Sequence, residues 1–363
     1  MRDFEHDAIQ TCAADGSCQE ACPVAIDTGA LMKEFRRRER GAREESVALA
    51  MARNYAAVER TARAGVAAGA LAQDLLGARR LASVPAALRS RVSVELVPIP
   101  PARLPAAAAA LPHSTRTGAA GVYVPACINR IFGNAAGLEQ HPSLPEALLA
   151  LSARAGRPLW IPDDVAGHCC ATPWASKGYR RGQDHMAART AAALWRWSDG
   201  ARLPVVIDAS SCAHGLLVDL GPRLDDAERE RYERIEILDA IAWVHDELLT
   251  QLDIRHRLAS VAVHPTCSAS QLNLADKLHA IATALADEVV TPASAGCCGM
   301  AGDRGLLHPE LPASALRDEA LELAEHDVEG HVCSNRTCEI ALQEHTGAPY
   351  ASFVLALERA TRP

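Results

Sequence analysis

Cysteine dominates the chemistry available to this chain. It has twelve, and eleven fall into three groups: Cys12, Cys18 and Cys22; Cys127, Cys169, Cys170 and Cys212; and Cys267, Cys297, Cys298 and Cys338. Thiolates bind soft metals, exchange disulfides or act as nucleophiles. The opening stretch MRDFEHDAIQTC has no apolar core of a secretion signal. A cytoplasmic location is therefore expected, with any peripheral membrane contact made through a partner. In a reducing compartment, clustered cysteines serve metal or redox chemistry rather than structural disulfides. The adjacent pairs Cys169–Cys170 and Cys297–Cys298 are poor intramolecular disulfide partners but can ligate two irons of one cluster.

The first group reads Cys12-Ala-Ala-Asp15-Gly-Ser-Cys18-Gln-Glu-Ala-Cys22-Pro23. The bacterial ferredoxin run is C-x2-C-x2-C-x3-C-P. Three of its four positions hold Cys here, and the second holds Asp15. Short loops at this spacing wrap one iron–sulfur cluster of the [4Fe-4S] type, and the proline turns the chain away. A carboxylate at one iron predicts a weaker, more exchangeable ligand and access to a three-iron form. In two-cluster ferredoxins the Cys before Pro ligates the other cluster. Cys22 is thus expected to serve a second cluster, completed by a partner or by a longer protein of which this chain is one piece. Zinc favours separated C-x2-C knuckles, which this spacing is not.

The other two groups sit at the ends of apolar runs. The runs are Gly121–Val124, Leu159–Ile161, Val205–Ile207, Val261–Val263, Glu288–Val290 and His331–Cys333. Amphipathic stretches alternate with them at 135–155, 183–197, 225–252, 268–286 and 312–327, which predicts parallel sheets with covering helices. Cysteines follow the first three runs by 3, 8 and 5 residues and the second three by 4, 7 and 5. That is an internal repeat of roughly 120–140 residues. Each cysteine group then lies past the carboxyl end of a strand, where open α/β sheets bind ligands. Gly296 and Gly299 flank the second pair and allow close backbone approach; His168 and Ala171 flank the first. Cys333 aligns with Ile207 at a strand end and reads as a buried structural thiol. His168, His214 and His264 read as hydrogen-bonded structural histidines.

The expected architecture is α+β overall. A helical ferredoxin-like domain covers 1–96, with helix at Val47–Leu81. A linker covers 97–118, where five prolines surround Ala106–Ala110. Cysteine-rich α/β modules cover 119–252 and 253–363. The formal net charge of −8 argues against nucleic acid as a partner. The basic run Lys33, Arg36, Arg37, Arg38 and Arg40 lies among glutamates and reads as a solvated helix face. No Ser–His–Asp set, phosphate loop or Rossmann glycine fingerprint occurs. Asp163–Asp164 and Asp225–Asp226 read as a loop and a helix start.

The Cys-Cys repeats resemble the cysteine-rich modules of heterodisulfide reductases and of glycolate oxidase iron–sulfur subunits. The fuller resemblance is to the carboxyl-terminal iron–sulfur part of FAD-linked D-lactate dehydrogenases. It rests on CAADGSCQEACPVAIDTG (12–29), CATPWASKGY (170–179), DASSC (208–212), HPTC (264–267), GCCGMAGDRGLLHPEL (296–311) and SNRTCE (334–339). The resemblance implies an electron-transfer subunit or fragment, carrying electrons from a flavin-bound hydroxy acid to a quinone, cytochrome or other carrier. FAD and the substrate site are then expected on a partner subunit or domain. The usual modules end in C-x-x-C, whereas Ala209 and Asn335 hold its first position here, and Ala171 replaces the glycine after the first Cys-Cys. Four ligands per module remain, and the cluster form stays open between cubane and the non-cubane form of heterodisulfide reductases. Two other readings stand beside this one: a thiol–disulfide redox enzyme acting at a module cluster, and a structural zinc protein.

Overall fold

A computed structural model describes residues 4–78, 89 and 97–363. The last residues of the expected helix at Val47–Leu81, from 79 onward, lie outside that range. Two four-stranded sheets organise the chain from residue 121 onward. The first comprises β1 (Gly121–Val124), β2 (Leu159–Trp160), β3 (Val205–Ile207) and β4 (Ile237–Asp239). The second comprises β5 (Leu258–Val263), β6 (Ala286–Val290), β7 (Gly330–Cys333) and β8 (Ala351–Ser352). Their orders are 2-1-3-4 and 6-5-7-8, the same permutation, and every pairing is parallel. In doubly wound sheets of order 2-1-3, the ligand crevice opens at the carboxyl ends around the first strand. Both sheets carry their cysteines there.

The six expected strands are present, and each sheet gains a fourth that the sequence reading did not contain. Ile237–Asp239 fell inside an expected helix at 225–252. That helix runs only Asp226–Tyr232, and Asp239 then caps a new one, its Oδ1 accepting from Ile241 N at 2.7 Å. The stretch 225–252 reads as one amphipathic segment, which hides a three-residue strand within it. The expected helix at 268–286 is also two, Cys267–Gln271 and Ala275–Leu285, split where Asn273 takes φ of 56°. Likewise, 135–155 is helical only over Leu144–Arg154, begun by a reciprocal cap between Ser143 and Glu146.

Helices Thr28–Glu39, Ala42–Arg53 and Tyr55–Leu76 precede the sheets. Asp27 starts the first, its Oδ1 accepting from Ala30 N at 3.0 Å. The expected solvated face of that helix holds only in part. Arg36 is 2% exposed and donates to the carbonyls of Ile9, Cys12 and Ser176. A buried guanidinium persists because carbonyls satisfy its fork. It joins the Cys12 loop to the helix Thr172–Lys177 that follows Cys170.

The proline-rich stretch after residue 97 runs against both sheets' surroundings. Ala108 N donates to Ile131 O at 3.0 Å, and Ile99 N donates to Leu306 O at 2.7 Å. The main hydrophobic core is continuous from Ala48 and Tyr55 through both sheets to Phe353 and Leu357. A smaller core holds Cys298, Cys333, Cys338, Leu342 and Tyr350. Arg154 and Glu358 bridge the helices Leu144–Arg154 and Phe353–Ala360 at 2.7 Å. Among the described residues, no helix is long and apolar enough to cross a membrane.

Candidate metal centres

In the first module, β1, β2 and β3 each deliver thiols to one point. Cys127 opens a short helix three residues past β1, and Cys212 lies in the helix Ser210–His214 after β3. Cys127, Cys169, Cys170 and Cys212 line one small cavity. Cys127 Sγ and Cys169 Sγ are 3.6 Å apart. Cys170 hydrogen-bonds Cys212 and Thr172 Oγ1, the latter at 3.3 Å. These contacts join the four into two hydrogen-bonded pairs, Cys127 with Cys169 and Cys170 with Cys212. Hydrogen bonds from Cys169 hold Cys127 below and Cys170 well below the ordinary thiol range. Cys169 and Cys212 are pushed well above it by hydrogen bonding to the neighbouring thiols, then by burial. The thiolate is the form that binds metal, and the lowered pair favours it.

Three buried residues set this site's surroundings. Arg130 is 5% exposed and pairs with Glu59 through two bonds of 2.8 Å. It also donates to Pro125 O and to His168 O, the carbonyls preceding Ala126-Cys127 and Cys169. The Tyr55 hydroxyl hydrogen-bonds Cys127 and adds to its depression. Asp208 accepts from Tyr123 Oη at 2.5 Å and Ala126 N at 2.7 Å, while Asn129 Nδ2 donates to its carbonyl. It thereby ties the Cys127 loop to the Cys212 loop; burial raises its pKa. Arg130, Glu59 and Tyr55 carried no signal in the sequence, because their link to the cysteines is wholly tertiary. Asp208 lay in a quoted motif but had no visible partner.

The second module repeats the pairing. Cys298 Sγ and Cys338 Sγ are 2.9 Å apart, and Cys267 hydrogen-bonds Cys297. Cys267 is lowered by that bond, while Cys297 is raised by it and by burial. Gly299 has φ of 73°, and a Cβ there would stand 2.7 Å from Pro312 Cα. Its counterpart Ala171 takes φ of 68° as well, so the turn after the double cysteine is left-handed in both modules. Cys333 is 0% exposed, raised well above its ordinary range by burial. His264 is equally buried, bonded through Nδ1 to Glu319 at 2.8 Å.

The two sites adjoin. Ser210 Oγ and Ser334 Oγ are 2.8 Å apart, and Ser211 Oγ donates to Asn335 Oδ1 at 3.0 Å. The loops after β3 and β7 therefore meet face to face.

In the N-terminal run, sulfurs accept hydrogen bonds from the backbone. Cys18 is lowered first by the Thr28 hydroxyl and further by Gly29 and Thr28 N–H groups. Cys22 is lowered by the N–H groups of Ile26, Val24 and Ala25. Cys12 Sγ accepts from Ala14 N at 3.3 Å. Asp15 departs from the expected arrangement: its carboxylate and the sulfurs of Cys267 and Cys297 lie within 4.8 Å of one another. Reading along the sequence could not find this, since 252 residues separate Asp15 from Cys267. His6, His308 and Glu310 also converge within 4.8 Å.

Residues 261–343 match the family model of a cysteine-rich (CCG) domain, which occurs in iron–sulfur subunits of lactate dehydrogenase-type enzymes. The match spans β5 to the helix after β7 and takes in Cys267, Cys297, Cys298 and Cys338. No curated protein matches the chain. The donor sets fit iron–sulfur clusters: four soft thiols per module, a cavity lined by all four in the first, and depressed thiols in each.

Proposed function

We propose that this chain is the iron–sulfur electron-transfer component of a flavin-linked 2-hydroxy-acid dehydrogenase of the D-lactate type. The observation that carries the reading is the duplicated strand-end set of four thiols. Both sets have the same strand order, the same left-handed turn after the double cysteine and the same two contacts, first thiol to first of the pair and second of the pair to last thiol. The cysteine-rich domain match supports it on the second module. Bound clusters would supply one-electron acceptance and release, the step between a two-electron flavin and a one-electron carrier.

The chain's own residues prepare that role. Cys127, Cys169, Cys170 and Cys212 would hold one cluster and Cys267, Cys297, Cys298 and Cys338 another. Cys12, Cys18 and Cys22 would contribute to a third that needs donors from elsewhere. Arg130, buried beside the first site, offsets negative charge gained on reduction. Asp208 and Arg130 fix the loops so that the thiols need not reorganise. The FAD-bearing part would be a partner subunit or domain, and a quinone, cytochrome or other carrier would take the electrons.

The test is anaerobic reconstitution of the full chain with iron and sulfide. Iron and acid-labile sulfide bound in equal amounts, with paramagnetic signals on reduction and no D-lactate oxidation by the chain alone, are expected. Iron without labile sulfide would sink the reading.

A further inference from the structure

A single carboxylate joins the N-terminal run to the second module, and several contacts hold it there. Asp15 lies with Cys267 and Cys297, all three donor atoms within 4.8 Å of one another. Gln271 ends the short helix that Cys267 begins, and its Nε2 donates to the Asp15 carbonyl. Gly16 takes φ of 81°, and a Cβ there would collide with Gln271 Nε2. The turn after Asp15 is left-handed and lies close against the Gln271 amide, a conformation glycine adopts without strain. The Asp15 carboxylate is itself oriented by Ser17, whose hydroxyl donates to Oδ2 at 2.7 Å.

We propose that Asp15 is a metal ligand of the second module, entering on the edge formed by Cys267 and Cys297. This rests on the iron–sulfur reading above and names a fifth donor for one of its sites. An oxygen donor among thiolates is harder and more readily exchanged, so the iron it meets differs from its neighbours. The first module offers a different edge. There Cys127 and Cys169 face the Tyr55 hydroxyl and the Arg130 guanidinium, a hydrogen-bond donor and a cation. Two modules with equal thiol sets are therefore unequal in charge. Gln271 and Gly16 are positioning residues that hold the carboxylate at the edge.

Mössbauer spectroscopy of the full chain loaded with iron-57 and sulfide tests the assignment. One oxygen-ligated iron is expected in the wild type. It is expected to vanish in Asp15→Asn and in Gly16→Ala, which leaves the carboxylate intact but removes its seat. It is also expected to vanish when Cys267 and Cys297 are both changed to Ala, with the first module's iron retained as the sign of a folded chain. Absence of that component from the wild type, or its survival in Asp15→Asn, overturns the assignment. Survival in the Cys267→Ala, Cys297→Ala variant returns Asp15 to the N-terminal run and overturns it equally. A chain that takes up no iron and sulfide overturns the iron–sulfur reading, and the ligand assignment with it. Normal uptake with an indifferent oxygen-ligated component overturns the ligand assignment alone.

Discussion

Arg130 and Glu59 show what individual side chains contribute around the first module. Both are buried, and Arg130 answers two carbonyls besides Glu59. Arg130→Ala leaves a carboxylate buried without its partner, and a loss of about 3–5 kcal/mol is expected in urea unfolding of the metal-free chain. In the loaded protein the same change removes a cation beside the thiolates. The first module's reduction potential is expected to fall in a potentiometric titration, whereas Glu59→Gln should raise it. Asp239 gives a pH signature. Burial pushes its pKa up to about 7, from an unfolded value of 3.8. The folded chain then holds a proton that the unfolded chain has released, so this contribution is full below pH 3.8 and is lost as pH rises through 7. Asp239→Asn keeps the Oδ1 that accepts from Ile241 N. It is expected to flatten the decline in metal-free unfolding free energy between pH 3.8 and 7, while the wild type keeps that decline.

At the scale of elements, the turn after each double cysteine separates the modules. Ala171 holds φ of 68°, where an L side chain crowds its own carbonyl. Ala171→Gly is expected to stabilise the chain by about 1 kcal/mol, the usual relief of a left-handed alanine. Gly299→Ala faces both the same strain and Pro312 Cα at 2.7 Å. A loss of about 2–3 kcal/mol is expected from strain plus overpacking, with less iron retained at the second module. Thermal unfolding of the metal-free variants measures both, and equal shifts would contradict the difference in packing. The turns were only half legible in sequence. Gly299 announced itself as a glycine after a cysteine pair, but Ala171 in the same conformation could be recognised only from its dihedral angle.

At the scale of the whole molecule, Arg36 staples the N-terminal run to the first module, as Asp15 seats it on the second. Its guanidinium bonds Ile9, Cys12 and Ser176 carbonyls. Arg36→Ala strands three carbonyls and is expected to cost about 3 kcal/mol. Limited proteolysis is expected to cut the N-terminal run faster while the cysteines after residue 120 load iron as before. Reading Arg36 as surface charge followed from its neighbours in sequence, Lys33, Arg37, Arg38 and Arg40, which lie among glutamates. Burial of one member of such a run depends on which residue faces inward once helices pack.

What the sequence determined by itself was the donor inventory and its repetition. Cysteine positions after apolar runs, with matching offsets, are local facts, and parallel sheets with cysteines at strand carboxyl ends follow from them. The strand β4 was hidden inside a stretch that reads as one amphipathic segment, and β8 lies beyond the last apolar run that a cysteine follows. Only the tertiary structure decided which donors meet. It paired Cys127 with Cys169 and Cys298 with Cys338, brought Arg130 and Tyr55 to one site, and carried Asp15 across to the other. Those contacts join residues far apart in the chain, and no spacing rule along a sequence encodes a distance that packing creates.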